Sequence, residues 1–296
     1  MRPCLSNSAP DAQAKPDYFA LHLTEIPAFR ALIRAVECKL LAEVEMTPPV
    51  LDIGCGDGTF AEILGDGRWD VGIDTWVEGV RQSAARRAYC RVLVASGTRL
   101  PFPDCAFQTV ISNCVLEHIP DVDAVVREAH RVLRPGGRFV LTVPSHLFPE
   151  MLFWSTFFRR VGLKRLGRAY GAWFNRHSRH YHCDSPEQWR ARLEGAGFAV
   201  ERWQYYLSSA ALRAIDLAHY YGIPSLVWNK VFGRWNLARR GWNFVVPNAW
   251  LRRYYEEPTP AQGGYIFLLA AKRAEGSEAG SLSIDIKPQR HGETRG

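Results

Sequence analysis

Glycines and acidic residues alternate between Asp52 and Gly58, and this is the stretch of the sequence best suited to bind a small molecule. Gly54, Gly56 and Gly58 allow a tight turn and let the backbone approach a ligand closely. Val50–Ile53 before them is typical of a short buried strand, and a helix predicted after them offers free N–H groups at its start. The stretch therefore predicts a strand, a binding turn and a helix.

A second candidate, Asp74, follows Gly54 by twenty residues and ends the next predicted strand. In dinucleotide-type folds, a carboxylate at this position accepts hydrogen bonds from the two ribose hydroxyls of the ligand. Aspartate is also a preferred helix N-cap, so the alternative is that Asp74 only begins the next helix.

The glycine spacing distinguishes two kinds of cofactor. A dinucleotide site has a third glycine where Thr59 stands, and its turn cradles a pyrophosphate. Asp52 would repel a pyrophosphate but suits an ammonium group. S-adenosylmethionine carries an ammonium, a sulfonium, a ribose and an adenine but no phosphate, so the residues favour it over a nicotinamide dinucleotide.

Strands and helices alternate along the chain from Val50 to Val143, which is typical of a mostly parallel sheet covered by helices. The predicted strands are Val50–Ile53, Val71–Ile73, Arg91–Ala95, Phe107–Ser112, Arg138–Val143, Phe198–Tyr205 and Tyr265–Ala271. The predicted helices run from Pro27 to about Val44, over a short stretch after the glycines, over Val77–Arg87 and Val122–Leu133, and from Ser185 to about Glu194. Ser185, Pro186 and Gln188 predict a capping box at the start of the last helix.

The expected organisation has four parts. Residues 1–47 form an N-terminal tail and a helix, with residues 1–16 disordered, and residues 48–145 form a cofactor-binding core. Residues 146–273 complete the domain and carry two insertions, at 146–183 and 208–260, that are expected to act as lids. Residues 274–296 are small, polar and charged, so we expect a disordered tail.

Five motifs in order resemble the class I S-adenosylmethionine-dependent methyltransferases, in particular the subfamily of ubiquinone and menaquinone biosynthesis. They are the glycine turn, Gly72–Asp74, Arg99–Asp104, Val115–Ile119 and Arg131–Arg138. The resemblance implies an α/β, Rossmann-like, seven-stranded sheet that is mostly parallel, with the first strand central and the last strand antiparallel. The two aromatic and basic insertions lie outside the resemblance.

The resemblance also implies which residues hold S-adenosylmethionine. Asp52 and the glycines shape the methionine end, and Asp74 holds the ribose, with Thr75 and Trp76 beside the adenine. The expected cofactor-binding residues are Asp52, Gly54, Cys55, Gly56, Gly58, Asp74, Thr75, Ser96, Gly97, Asn113, Cys114 and Glu117. Where the family often has Asp-Ala, this chain has Ser96-Gly97, whose hydroxyl can accept the adenine hydrogen bond without charge assistance.

Histidines near the predicted strand ends are candidates for acid–base chemistry. His118 and His146 each either act as a general base beside the methyl group or have a structural role, such as orienting Glu117. His177, His180, His182 and Cys183 match no common zinc pattern, so no metal is expected, although one of these histidines could supply a base.

Charge is unevenly distributed between the two halves of the chain. Residues 1–150 carry 15 basic and 19 acidic side chains, whereas residues 151–296 carry 22 basic and 11 acidic ones. The second half is therefore expected to face anions. Its insertions either contact a membrane surface or lipid-like ligand, or pack as a lid over a small substrate; nucleic acid is not expected, because no binding module is recognisable.

Seven cysteines without a Cys-x-x-Cys pair argue against a disulfide framework, and no apolar run is long enough to span a membrane. We therefore expect a cytoplasmic protein, with peripheral membrane contact as an option. The preferred function is in-line methyl transfer from S-adenosylmethionine to a small or lipid-like acceptor. The alternative is a non-catalytic cofactor-binding or membrane-associated scaffold with the same fold.

Overall fold

A computed structural model describes residues 16–65, 69–221 and 242–273. The strands are β1 Val50–Ile53, β2 Trp69–Asp74, β3 Tyr89–Val94, β4 Phe107–Asn113, β5 Leu133–Pro144, β6 Phe198–Tyr206 and β7 Tyr265–Lys272. The helices are α1 Tyr18–Glu25, α2 Ala28–Leu41, α3 Thr59–Leu64, α4 Val77–Arg86, α5 Val122–Val132, α6 Phe148–Met151, α7 Phe153–Arg160, α8 Lys164–His177, α9 Pro186–Gly195, α10 Ser209–Tyr221 and α11 Trp242–Tyr255, with a 3₁₀ turn at Leu116–His118.

The seven strands form one sheet in the order β3-β2-β1-β4-β5-β7-β6. Strands β1 to β5 are parallel, and β7 lies antiparallel between β5 and β6. The predicted α/β fold with an antiparallel last strand is thereby confirmed. Strand β1 lies between β2 and β4, where the strand order reverses, and ligands of such sheets bind beyond the strand ends at this point.

The inner strands are buried on both faces, so their side chains alternate between two hydrophobic cores. On β7, Ile266 and Leu268 pack into the core under α5 and α9, whereas Phe267 packs into the core under α1, α2 and α10. Because inner strands of this kind read as continuous apolar runs, the sequence predicted their positions well.

The insertion at 146–183 contains α6, α7 and α8, and no strand lies among its residues. Within 208–260, the described residues contain α10 and α11, while 222–241 lie outside the description. The disordered tails expected at 1–16 and 274–296 lie almost entirely in undescribed residues. Among the described residues, no helix is long and apolar enough to cross a bilayer.

Helix α1 was not predicted, since eight residues are too few for a helical period to stand out. It begins at Asp17, whose carboxylate accepts a hydrogen bond from the Ala20 N–H at 3.0 Å. Helix α9 begins as predicted: the Gln188 N–H donates to the Ser185 hydroxyl at 3.3 Å, and the Ser185 N–H donates to the Gln188 side chain at 2.8 Å. The capping box is confirmed.

Replacing Ser185 with alanine should lower the free energy of unfolding by about 1 kcal/mol, because the start of α9 loses a hydrogen-bond acceptor. Chemical denaturation measures this directly. Ser185→Thr keeps the oxygen and should remain close to wild type. Equal stability of Ser185→Ala and wild type would show that the capping box contributes nothing.

Candidate functional site

The glycine turn lies at the end of β1, and all three of its glycines have positive φ angles: 89° at Gly54, 53° at Gly56 and 80° at Gly58. A Cβ atom at Gly54 would lie 2.3 Å from the Val115 side chain, so only glycine allows the turn to contact the segment after β4. Gly56 has no atom near its missing Cβ, which leaves open space for a ligand. Gly58 caps α3, and the Cys55 side chain between the glycines is buried.

Asp74 joins this turn to the end of β2. One of its carboxylate oxygens accepts from the Gly56 N–H at 2.9 Å and the other from the Trp76 N–H at 2.8 Å. A carboxylate offers about four acceptor positions, so it retains capacity for two ribose hydroxyls. Helix α4 has Trp76, rather than Asp74, as its N-cap. Thr75 is exposed, and the Trp76 indole, 53% exposed, packs over Gly79 at the start of α4.

Asp52 is buried beneath the turn and accepts a hydrogen bond from the Tyr89 hydroxyl at 2.5 Å. Tyr89 reaches it from β3 by crossing β2 at Gly72, where a Cβ would lie 3.0 Å from the ring. Burial raises the pKa of Asp52 to about 7, and the Asp74 charge adds to this increase. Asp52 therefore holds a proton more readily than an ordinary aspartate.

Ser96 and Gly97 follow β3. The exposed Ser96 hydroxyl shares a hydrogen bond with the Thr98 hydroxyl at 2.8 Å. Gly97 is buried, and a Cβ there would lie 2.9 Å from the Ile53 side chain. The two residues thus lie just after β3, at the same edge of the sheet as the glycine turn.

A buried carboxylate that sequence reasoning missed, Glu37 on α2, organises the ends of β4 and β6. It accepts hydrogen bonds from Arg34 at 2.8 Å, Asn113 at 2.8 Å, the Cys114 thiol at 3.0 Å and the Tyr206 hydroxyl at 2.9 Å. The side chains of Asn113 and Cys114 are therefore held by hydrogen bonds to Glu37 on α2. The sequence could have indicated Glu37, because it is a charged residue on the buried face of a predicted amphipathic helix.

Arg30, one turn before Arg34, was also missed. Its side chain is exposed and makes no hydrogen bond or ion pair with the described residues. Its charge interacts with those of Asp57 in the glycine turn and Glu37. An unpaired guanidinium beside the turn is suited to bind a carboxylate.

Glu117, His118 and His180 come together next to the turn, with their ligand atoms within 4.8 Å of one another. The Tyr181 N–H donates to the Glu117 carbonyl at 2.7 Å, which joins the end of the first insertion to the 3₁₀ turn. Glu117 Oε2 and His180 Nδ1 are buried without a hydrogen-bond partner in the described structure. Two buried polar atoms of the cluster therefore remain able to form hydrogen bonds with a ligand.

The environment sets the protonation of these three groups. Burial raises the pKa of Glu117 to about 8, so its carboxyl is largely protonated at neutral pH. Burial lowers the pKa of His118, and burial together with the nearby His118 lowers that of His180 to about 4. Both imidazoles are consequently neutral near pH 7 and can accept a proton.

The other histidines predicted from the sequence lie outside this cluster. His146 is exposed and lies on the side of α9, near Glu187. His177 stacks on Trp173, and His182 bonds to the Pro120 carbonyl at 3.1 Å. Glu117, His118 and His180 place three possible ligand atoms within 4.8 Å of one another, so the expectation that no metal binds stays a prediction.

An aromatic wall continues from His180 away from the turn. The centroid of the Phe148 ring lies 5.3 Å from that of His180, 5.4 Å from that of Tyr265 and 5.7 Å from that of Phe174. His219 on α10 extends the wall beyond Phe174. Rings from both insertions thus pack together next to His180, and Phe148 and Tyr265 are themselves buried.

Comparison with known proteins identifies the family. Residues 51–141 match a family described as a methyltransferase domain. A demethylmenaquinone methyltransferase from Mycolicibacterium paratuberculosis is 32% identical over 180 residues, which cover 57% of this chain and 75% of that protein. The chain belongs to the S-adenosylmethionine-dependent methyltransferases.

Two further likenesses are more limited. A probable S-adenosylmethionine-dependent methyltransferase from Mycolicibacterium smegmatis is 38% identical over 101 residues, or 33% of this chain, and the chain spans 38% of that relative's length. A putative sarcosine dimethylglycine methyltransferase from Galdieria sulphuraria has a TM-score of 0.50 at 16% identity, covering 82% of this chain and 85% of that one. The second likeness concerns the fold alone.

The methyltransferase site fits S-adenosylmethionine, as its family membership implies. Gly56 has open space at its missing Cβ, and Asp74, hydrogen-bonded to the Gly56 N–H, has spare acceptor capacity for a ribose. The lack of a third glycine at Thr59 agrees with a ligand that has no pyrophosphate.

The raised pKa of Glu117 predicts a pH-dependent stability. Its carboxyl has a pKa of about 4.3 when unfolded, so the stabilisation by the buried protonated form is complete below about pH 4 and is lost as pH rises towards about 8. Glu117→Gln stays neutral, so its free energy of unfolding relative to wild type should increase between about pH 5 and about pH 8. Urea denaturation measures this, with the exposed Glu194→Gln as the control. A difference that does not change with pH would contradict the raised pKa.

Proposed function

We propose that this methyltransferase transfers the methyl group of S-adenosylmethionine to a lipid-like aromatic acceptor, of the quinol class named for its demethylmenaquinone-methylating relatives. The contact between Gly54 and Val115 carries the proposal, because it brings the cofactor turn against the segment that bears Glu117 and His118. The aromatic wall from Phe148 to Phe174 supports an acceptor with flat rings and an apolar tail.

In this proposal, the residues around the turn hold the cofactor by its polar ends. Asp74 accepts hydrogen bonds from the ribose hydroxyls, and Arg30 binds the methionine carboxylate through its unpaired guanidinium. Trp76 covers the adenine, Ser96 accepts from its amino group, and the glycine backbone allows close approach. When bound, S-adenosylmethionine supplies a methyl group on a positively charged sulfur.

The cluster beside the turn orients the acceptor and takes its proton. His118 is neutral at pH 7, its side chain is 44% exposed, and its Nδ1 is hydrogen-bonded to the Arg179 carbonyl, which leaves Nε2 to accept a proton. Glu117, protonated at that pH, can donate a hydrogen bond that orients the acceptor oxygen. A general base contributes about 10²–10⁴-fold, and positioning of the reactants supplies much of the remainder. The proposal includes the expectation that the insertions at 146–183 and 208–260 act as lids over the acceptor.

Asp74→Ala should weaken binding of S-adenosylmethionine at least tenfold, because two hydroxyls lose a charged acceptor whose hydrogen bonds contribute about 1.5–3 kcal/mol each. Arg30→Ala should have a similar effect, which Arg30→Lys partly restores. Isothermal titration calorimetry checks both, with the exposed Arg81→Ala as the control. Wild-type affinity in Arg30→Ala would exclude Arg30 from the site, and thermal stabilisation by nicotinamide dinucleotides would contradict the cofactor assignment.

Incubation with methyl-labelled S-adenosylmethionine tests the acceptor. A prenylated naphthoquinol should gain label faster than the same ring without its chain, since the apolar tail adds contacts along the aromatic wall. His118→Gln should lower kcat by about 10²–10⁴-fold and leave cofactor binding unchanged. Preference for the ring without its chain would contradict a lipid-like acceptor, and cofactor binding without any turnover would favour the scaffold alternative.

A further inference from the structure

The turn between α7 and α8 exposes apolar side chains at its outermost point. Val161, Leu163 and Leu166 are each at least half exposed, at 54%, 53% and 50%. Phe157 and Trp173, on the two adjoining helices, are 43% and 50% exposed. Large apolar residues clustered on one projecting hairpin are unusual on a surface that contacts water alone.

The same hairpin is strongly basic. Residues 151–183 contain seven arginines and lysines and no aspartate or glutamate. All seven basic side chains are exposed: Arg159, Arg160, Lys164, Arg165, Arg168, Arg176 and Arg179. Of these, Arg159 pairs with Glu150 on α6 at 2.6 Å. The hairpin therefore presents an apolar turn surrounded by positive charge.

A cavity of about 520 Å³ opens among α6, α7 and α8, next to this turn. Two glycines shape it: a Cβ at Gly167 would lie 2.7 Å from the Ser155 carbonyl oxygen, and one at Gly171 would lie 2.7 Å from that of Pro149. The helices thus approach closely at the glycines, and longer side chains line the space beside them.

Two of the cations that line this cavity have no partner of their own. Lys164 and Arg168, one turn apart on α8, form no ion pair within the described ranges of the chain. Asn175 also lines the cavity, and its buried Oδ1 atom has no hydrogen-bond partner among those residues. Glu150 and Arg159 also line the cavity and pair with each other, so the unpaired Lys164 and Arg168 give it a net positive charge that suits a phosphate oxygen.

We propose that the α7–α8 hairpin is a docking element for membranes rich in anionic phospholipid. The apolar turn at Val161–Leu166 enters the interface, and the cavity beside Lys164 and Arg168 takes a headgroup phosphate. Exposed tryptophan and phenylalanine on the adjoining helices match the level of the headgroups. This surface is separate from the glycine turn, so the inference does not depend on the nature of the acceptor.

The charge pattern favours this occupant over two others. A second copy of the chain would bring two strongly positive hairpins together, and they would repel each other. Nucleic acid would satisfy the cations but would leave the aliphatic side chains of the turn without an apolar partner. A bilayer surface with anionic headgroups satisfies both features at once.

Vesicle sedimentation tests the proposal with the full chain. The protein should sediment at low salt with vesicles of equal parts phosphatidylcholine and phosphatidylglycerol, and stay in solution with phosphatidylcholine alone. Each basic residue near an anionic leaflet strengthens binding about fivefold, so Lys164→Ser with Arg168→Ser should weaken it by about 25-fold. The matched pair Arg127→Ser with Arg190→Ser removes the same charge from exposed positions on α5 and α9.

A further variant, Leu163→Asn with Leu166→Asn, should also weaken sedimentation without altering charge. Because all these positions are exposed, thermal melting and S-adenosylmethionine binding should be unchanged in every variant. Absence of sedimentation with anionic vesicles would overturn the proposal, as would equal losses in the hairpin and control pairs. Binding of inorganic phosphate without vesicle binding would indicate a site for a free anion instead. Methylation of a soluble acceptor by the Lys164→Ser and Arg168→Ser variant measures the proposed function separately.

Discussion

One buried carboxylate, Glu37, connects the N-terminal helix α2 to the strand ends on which the site is built. Its four donors come from Arg34, from the last residue of β4 and the residue after it, and from Tyr206 on β6. Because a buried charge without such partners would cost several kcal/mol, the helix can pack here in one position only. That position in turn fixes where Arg30 stands relative to the glycine turn.

Burial also determines which groups of the site carry charge. Asp52 and Glu117 hold protons more tightly than exposed carboxylates, whereas His118 and His180 hold them less tightly. The crevice therefore has less net charge near neutral pH than its residue types suggest. Under the proposed function, a low charge suits a site that admits a sulfonium next to an apolar acceptor.

The local parts of this structure could be predicted from the sequence, and the parts that depend on distant contacts could not. The glycine turn, Asp74 and the Ser185 capping box are each specified by residues within a few positions of one another. Glu37, Arg30 and His180 reach the site from separate segments, and only the packing of α2 and the first insertion brings them there. His146 follows a strand end closely in the sequence, yet it does not lie in the cluster of Glu117, His118 and His180. Nearness to a strand end was therefore not enough to predict its position.

The position of β7 has a consequence for the order in which the chain can fold. Strand β6 is at the edge of the sheet and pairs with β7, which itself pairs with β5. During synthesis, β1 to β4 can pair as soon as they and β5 emerge, since all their neighbours lie in the first half of the chain, whereas β5 finds only one of its two neighbours, β4, there. Strand β6 must wait for residues 265–272, more than a hundred positions after β5 ends. Strands β1 to β4, with the glycine turn, can therefore form before β6 and β7 complete the sheet.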